Sequence, residues 1–215
     1  MNNKHRFNAL ASKIQKRYPK VKIRYKDGHW FWKRLPGSLS TNGTALGNTI
    51  WLNKKTSYNL RRLAHEYQHI VDMKSMGLVG FMSMYLHPQL LSVFWFITAI
   101  MAIFFGLKLF TIILAGVGLL LLLPWPSRSR AYLEMNGYLM SMYVASRQNK
   151  DMLSYGDFVV DTMRSWLYYK MVWTKVRSRN LVQDAFDVLE DEEAIINTSV
   201  AFRDVNEIFT KQTIV

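Results

Sequence analysis

The sequence predicts a mainly α-helical fold with a small N-terminal β-sheet and a hydrophobic helical hairpin set between two site-bearing helices. Three observations predict it. Two short strand-like segments, 22–26 and 48–53, lie near the start of a chain whose longer segments have helical spacing. His65-Glu66-Tyr67-Gln68-His69 follows the second of them inside a helical pattern. An apolar stretch over 90–123 then holds one charge, Lys108, in 34 residues. At 215 residues the chain is long enough for one domain with a substantial core.

Each element has a local reason. Phe7, Leu10, Ala11 and Ile14 fall on one face of a helix over 5–17, with Lys and Arg on the other. Residues 22–26 alternate as a strand, Asp27-Gly28 is a hairpin turn signal, and 29–35 supplies the expected return strand. Residues 36–47 are rich in Gly, Ser, Thr and Asn and predict a loop. After the strand at 48–53, Thr56 or Ser57 can cap a helix running to about Met76, with Gly77 as its stop. A single helix over 90–123 would be about 51 Å long, too long for one bilayer crossing. Gly106-Leu107-Lys108 divides it into two runs of roughly 24–26 Å, slightly short of a full span. Such a hairpin thins the bilayer or dips in without crossing. Pro88 and Pro124-Trp125-Pro126 close its ends, and Trp125 suits an interface. Further helices are expected over 130–147 and 158–176. An acidic helical tail over 184–193 either folds back on the basic front or forms a solvated face. The chain thus divides into a basic α/β part (1–55), an active-site helix (56–77), the hairpin (88–126) and a helical C-terminal part (128–215).

The formal net charge is +13, and residues 1–50 carry eleven Lys or Arg against one acid, Asp27. This field attracts an anionic surface, and the apolar stretch makes a membrane the first choice. Nucleic acid is not expected, since no binding motif accompanies the charge. The chain has no cysteine, which excludes disulfides, thiolate metal sites and a cysteine nucleophile. Residues 1–34 have no apolar run behind their basic residues, so no signal peptide is expected. Arg61, Arg62 and Lys74 before the hairpin, with Arg128 and Arg130 after it, predict both termini and the site on the cytoplasmic side. The alternative is a soluble or virion-associated protein with the hairpin buried in an assembly.

The five-residue motif carries the chemistry. Histidines at i and i+4 share a helix face, so His65 and His69 can reach one ion. Glu66 then lies beside a metal-bound water and can take its proton. A third ligand is required, and Asp72, His87 and Glu134 are candidates. Asp72 more naturally orients a ligand histidine. His87, at the hairpin mouth, suits a ligand, a proton donor or an interface residue. Glu134 is favoured, because an acid between Leu133 and Met135 needs a partner to be buried. Arg130 and Tyr138 share its helical face.

His-Glu-x-x-His on one helix and a glutamate ligand on a later one resemble a gluzincin-type zinc metallopeptidase. The layout, with hydrophobic helices between the two, is similar to integral-membrane zinc peptidases of the HtpX and CAAX-prenyl-endopeptidase type. The resemblance covers roughly residues 48–143. It differs from them in lacking hydrophobic helices before the motif and in having Gln68 before the second histidine. A small peptidase of phage or bacterial type with the same metal set fits equally. The resemblance implies a zincin-like α+β fold, Zn²⁺ on His65, His69 and Glu134, Glu66 as general base, and a peptide or protein substrate. Tyr138, His87 and Arg130 are candidate donors to the developing oxyanion. A non-catalytic, metal-stabilised membrane or virion assembly protein is the competing expectation.

Overall fold

The computed structural model describes residues 2–27, 29–34, 42–53, 58–87, 89–123, 125–165 and 170–210. It is mostly helical, with one small three-stranded sheet. Helix α1 (Asn3–Arg17) is capped by Asn2, whose side chain accepts from the Lys4 amide. It buries Phe7, Leu10 and Ile14. Lys16 and Arg17 in its last turn complement the helix dipole.

Strand β1 (Lys22–Tyr25) leads not into a hairpin but into a short helix, α2 (Trp30–Lys33). The expected return strand over 29–35 is therefore wrong. Trp32 turns inward on this helix, packing against Trp51, while Trp30 and Phe31 stay exposed. The hairpin comes later, between β2 (Thr44–Leu46) and β3 (Thr49–Leu52), which pair antiparallel with Ala45 opposite Ile50. Gly47, at φ 55°, supplies the left-handed turn residue between them. Part of the expected loop over 36–47 is thus a strand; residues 36–41 lie outside the described set. Strand β1 pairs parallel with β3, so the order is β1-β3-β2 and β2 is an edge.

Helix α3 (Leu60–Leu86) is capped by Asn59, which accepts from the Arg62 amide. Thr56 and Ser57 lie outside the described residues. Gly77 interrupts the helix where expected, and what the sequence did not signal is the second helical run that follows it to Leu86. Gly77 takes φ 74° and ψ 158°, a conformation essentially confined to glycine, and the chain resumes as helix beyond the bend. Helix α6 (Arg128–Arg147), capped by Ser127, lies against α3. Leu63, Ile70, Leu133, Met140 and Val144 from these two helices form the main core with Leu10, Ile14 and Ile50.

Between them run α4 (Gln89–Phe104) and α5 (Lys108–Leu121), packed on one another through Ala99, Ala102 and Leu114. Gly118 lets the Phe96 ring approach, since a Cβ there would meet it at 3.2 Å. Their outer faces are exposed and apolar, with Phe104 at 80% and Leu109 at 73%.

The expected helix over 158–176 is also corrected. Helix α7 (Met152–Arg164) ends at Ser165, and the next helix among the described residues, α8, runs from Lys175 to Glu190. Residues 170–174 between them are extended or bent, with Met171 and Val172 buried against α6 to α8. The acidic stretch over 184–193 forms a largely solvated face, from which Glu192 reaches Arg147. The basic front instead meets α10 (Val200–Thr210), which follows α9 (Glu192–Thr198). There Arg17 forms two hydrogen bonds, of 2.8 and 2.7 Å, to the buried carboxylate of Asp204. The Tyr67 hydroxyl of α3 donates to the same carboxylate at 2.6 Å. Three separate helices are thereby tied at the back of the motif.

Candidate metal centre

His65 and His69 project from adjacent turns of α3, and their Nε2 atoms lie 3.2 Å apart. Glu134 on α6 faces both. Its Oε2 is 3.5 Å from His65 Nε2, and its Oε1 is 3.8 Å from His69 Nε2. All three side chains are buried. Four ligands at about 2.0–2.1 Å around a tetrahedral ion are separated by roughly 3.3–3.4 Å. The ring nitrogens and the Glu134 oxygen nearest each lie 3.2–3.8 Å apart, and one ligand atom from each residue lies within 4.8 Å of the others, close enough for one divalent cation to draw them together. Glu134 Oε2 is buried without a hydrogen bond, and so is His69 Nδ1, among the described residues. An orphaned carboxylate oxygen is expensive in a dry interior, and a cation facing it removes that penalty.

The surroundings hold these groups in place. The Tyr85 hydroxyl makes a short hydrogen bond to Glu134 Oε1. His65 Nδ1 lies 3.3 Å from Ser141 Oγ, which leaves Nε2 for the ion. Gly137 permits the close approach of α6: a Cβ at this position would lie 2.7 Å from both Cε1 and Nε2 of His65.

Electrostatics follow from burial and crowding. Burial alone would lower the His65 imidazole, but the Glu134 carboxylate facing it at 3.5 Å and the charge of Glu66 outweigh it, so His65 is raised above its ordinary value. Burial pulls His69 down to about 4. Burial opposes ionisation of Glu134, yet the two histidines and Tyr85 hold it well below the usual carboxylate range. His65 and Glu134 thus each favour the other's charged form.

Glu66 turns towards the sheet edge. Burial pushes its carboxyl up to about 7, opposed by His65 and reinforced by Glu134, while a hydrogen bond from the Ala45 backbone pulls it down. Gly43 lies directly against it, leaving no room there for a side chain. Lys26 fixes this segment from below. Its Nζ donates to Asn42 O at 2.7 Å and Thr44 Oγ1 at 2.8 Å, and sits 4.1 Å from the Trp32 ring centroid. Burial drops the Lys26 ammonium to about 8.

His65, Glu66, His69 and Glu134 all line one cavity of about 420 Å³. Its other walls include Ala45, Leu46, Phe81, Leu86, Leu122 and Met171, so it is largely apolar. A smaller cavity of about 160 Å³ on the other side shares Asn42, Gly43, His65 and Glu66, and Tyr138 lines that one.

The remaining candidates fall outside the ligand group. Asp72 accepts from Gln68 Nε2 at 2.7 Å and Asn136 Nδ2 at 3.4 Å, and burial raises it to about 6. It braces α3 against α6. His87 is exposed at the end of α3 and does not line the larger cavity. Tyr138 packs edge-on to His65 with centroids 5.0 Å apart, positioning the ring. Arg130 lines the larger cavity, donating from Nε to Tyr85 O at 2.6 Å and from Nη2 to Gln89 Oε1 at 2.5 Å.

Sequence reasoning missed Tyr85, Ser141 and Gly137. Tyr85 was hidden because Gly77 read as a helix end. Gly137, one helical turn beyond Glu134, and Ser141, a turn further, were the available signals on the same face. Compared with protein-family models, curated proteins and solved structures, the chain matches none.

Proposed function

We propose that this chain is a zinc-dependent peptidase attached to a membrane by α4 and α5. The observation that carries the reading is the convergence of His65, His69 and Glu134, with Glu66 beside them, on the wall of one cavity. Two imidazoles and one carboxylate, with a side open to a cavity, are the donor set of a catalytic rather than a structural zinc site. The sequence of parts also supports the zincin-like reading: an edge strand, a helix bearing both histidines, and a later helix bearing the glutamate.

A bound zinc ion supplies Lewis acidity, acidifying water and polarising a carbonyl. The chain's own residues do the rest. Glu66, poised near neutrality by burial, accepts a proton at its carboxylate and returns it to the leaving amine. Among the described residues β2 is an edge strand, and an extended peptide laid along it brings a carbonyl near Glu66, which already accepts from the Ala45 amide of that strand. Tyr85, whose hydroxyl donates to Glu134 Oε1 in the same cavity, holds that carboxylate towards the two histidines. The apolar walls select an apolar substrate side chain and keep water out.

Helices α4 and α5 are about 24 and 21 Å long at 1.5 Å per residue, against a hydrocarbon core of about 30 Å. Among the described residues no single helix is long and apolar enough to cross a membrane. Their exposed apolar faces support a pair that dips into lipid from the side holding the site.

Glu66→Gln tests the reading against a metal-stabilised assembly protein. The variant should bind zinc as the native chain does and lose cleavage of a quenched fluorescent peptide library by at least 100-fold. Cleavage at the native rate removes Glu66 from its role. Absence of cleavage in the native zinc-loaded chain favours the assembly protein.

A further inference from the structure

A third cavity, of about 700 Å³, lies on the opposite side of α6 from the metal ligands' main cavity and takes no part in the chemistry above. Arg128, Tyr132, Trp173, Arg177 and Leu181 are among its walls. The two segments that border it, 125–132 and 170–180, contain six Lys or Arg and no acid. Among the described residues Asp184 is the one carboxylate in the lining, against Arg128 and Arg177.

The place of this groove in the molecule points to its occupant. Trp125 lies four residues beyond the end of α5 and donates its indole N–H to Leu120 O at 2.7 Å. Its ring meets Trp173 edge-on, with centroids 6.4 Å apart. Trp173, Val176 and Tyr132 are 57%, 68% and 60% exposed, beside exposed Lys175 and Arg177. Lys170 Nζ lies 4.5 Å from the Trp173 centroid. Moving away from the bare helices α4 and α5, the surface passes from aliphatic to tryptophan to cationic. A bilayer has the same order of hydrocarbon, interface and phosphate.

We infer that this groove binds the headgroup of an anionic phospholipid, with Arg128 and Arg177 on the phosphate and Trp125 and Trp173 at the glycerol level. The inference rests on the reading of α4 and α5 as lipid-immersed. A soluble anion satisfies the arginines but leaves the adjoining apolar and aromatic surface uncovered, whereas a lipid covers both. Met171 lines this groove and the metal-facing cavity alike. A headgroup bound here therefore sits one side chain from the site and holds the site's cavity at the membrane surface.

The full chain, reconstituted in vesicles of brominated phosphatidylcholine or brominated phosphatidylglycerol, tests this through tryptophan quenching. Each basic residue at a membrane surface adds roughly fivefold to anionic-lipid binding, so two give a preference on the order of 30-fold. Phosphatidylglycerol should quench selectively, and the selective component should shrink in Trp173→Phe, which leaves Trp125, and vanish in Arg128→Gln/Arg177→Gln. The pair Lys150→Gln/Arg203→Gln, exposed elsewhere and equal in charge, should retain it. Equal quenching by both lipids, or equal loss from both pairs, overturns the headgroup site while leaving insertion intact. No quenching by either lipid refutes insertion, and the headgroup site with it.

Discussion

Replacing Gly137 with alanine tests the site's geometry without touching a ligand. The new Cβ would meet Cε1 and Nε2 of His65 at 2.7 Å and Cδ2 at 3.0 Å, where ordinary contact begins at 3.4 Å. The ring or the α3–α6 spacing must therefore give way by about 0.7 Å, several times the roughly 0.2 Å that a metal–ligand bond tolerates. Changes in the groups that support metal ligands weaken binding by about 10–100-fold. At zinc one hundredfold above the native Kd, binding stabilises the fold by about 2.7 kcal/mol; after a hundredfold weakening, only about 0.4 kcal/mol remains. The assay is competition with a chromophoric chelator, paired with urea unfolding of zinc-free and zinc-loaded protein. As an ordinary helix position, Gly→Ala would stabilise the zinc-free fold by about 1 kcal/mol and leave affinity alone. Native zinc affinity in Gly137→Ala would refute the packing of α6 against the His65 ring.

Three further outcomes follow from the same structure. Tyr85→Phe removes the donor to Glu134 Oε1 and should weaken zinc by about tenfold with the fold intact; an unchanged Kd by chelator competition would separate Tyr85 from the site. Asp204→Ala strips the shared acceptor from Arg17 and Tyr67 at a buried position and should lower unfolding free energy by about 3 kcal/mol in urea; a loss under 1 kcal/mol would mean the clasp contributes little. Zinc must displace the proton of His65, whose pKa is raised, so affinity should tighten about tenfold per pH unit below that pKa and level off above it. Calorimetry in buffers of different ionisation enthalpy reads the proton release, and a pH-independent Kd from 5.5 upward would show His65 neutral before binding.

How much was legible depended on the range of the interaction. The His65–His69 pair and its helix rest on i,i+4 spacing, which is local, and Glu134 stood out as a lone acid among apolar neighbours. The helical break at Gly106 was local too. The sheet was misread where pairing is non-local: alternating aromatics at 29–34 look like a strand, yet β1 finds its partner in β3, and residues 30–33 turn helical to bury Trp32 under Lys26. Gly77 carries the sequence signal of a helix end and the backbone angles of one. Only packing decides that helix resumes and returns Phe81 and Tyr85 to the site. Likewise, no pattern at 158–176 distinguishes one helix from two; Met171 and Val172 are drawn out of helix by the pocket between α6 and α8. The acid that answers the basic N-terminus is Asp204, isolated in an apolar face, rather than the more conspicuous run before it.

X-ray absorption at the zinc edge, with metal counting on the native chain and Glu134→Ala, tests the central claim most directly. The account predicts one zinc per chain, held by two imidazole nitrogens and a carboxylate oxygen at about 2.0–2.1 Å, with the oxygen contribution and most of the affinity lost in the variant. A purified chain that takes up no zinc, or a zinc site unaltered by Glu134→Ala, would contradict it.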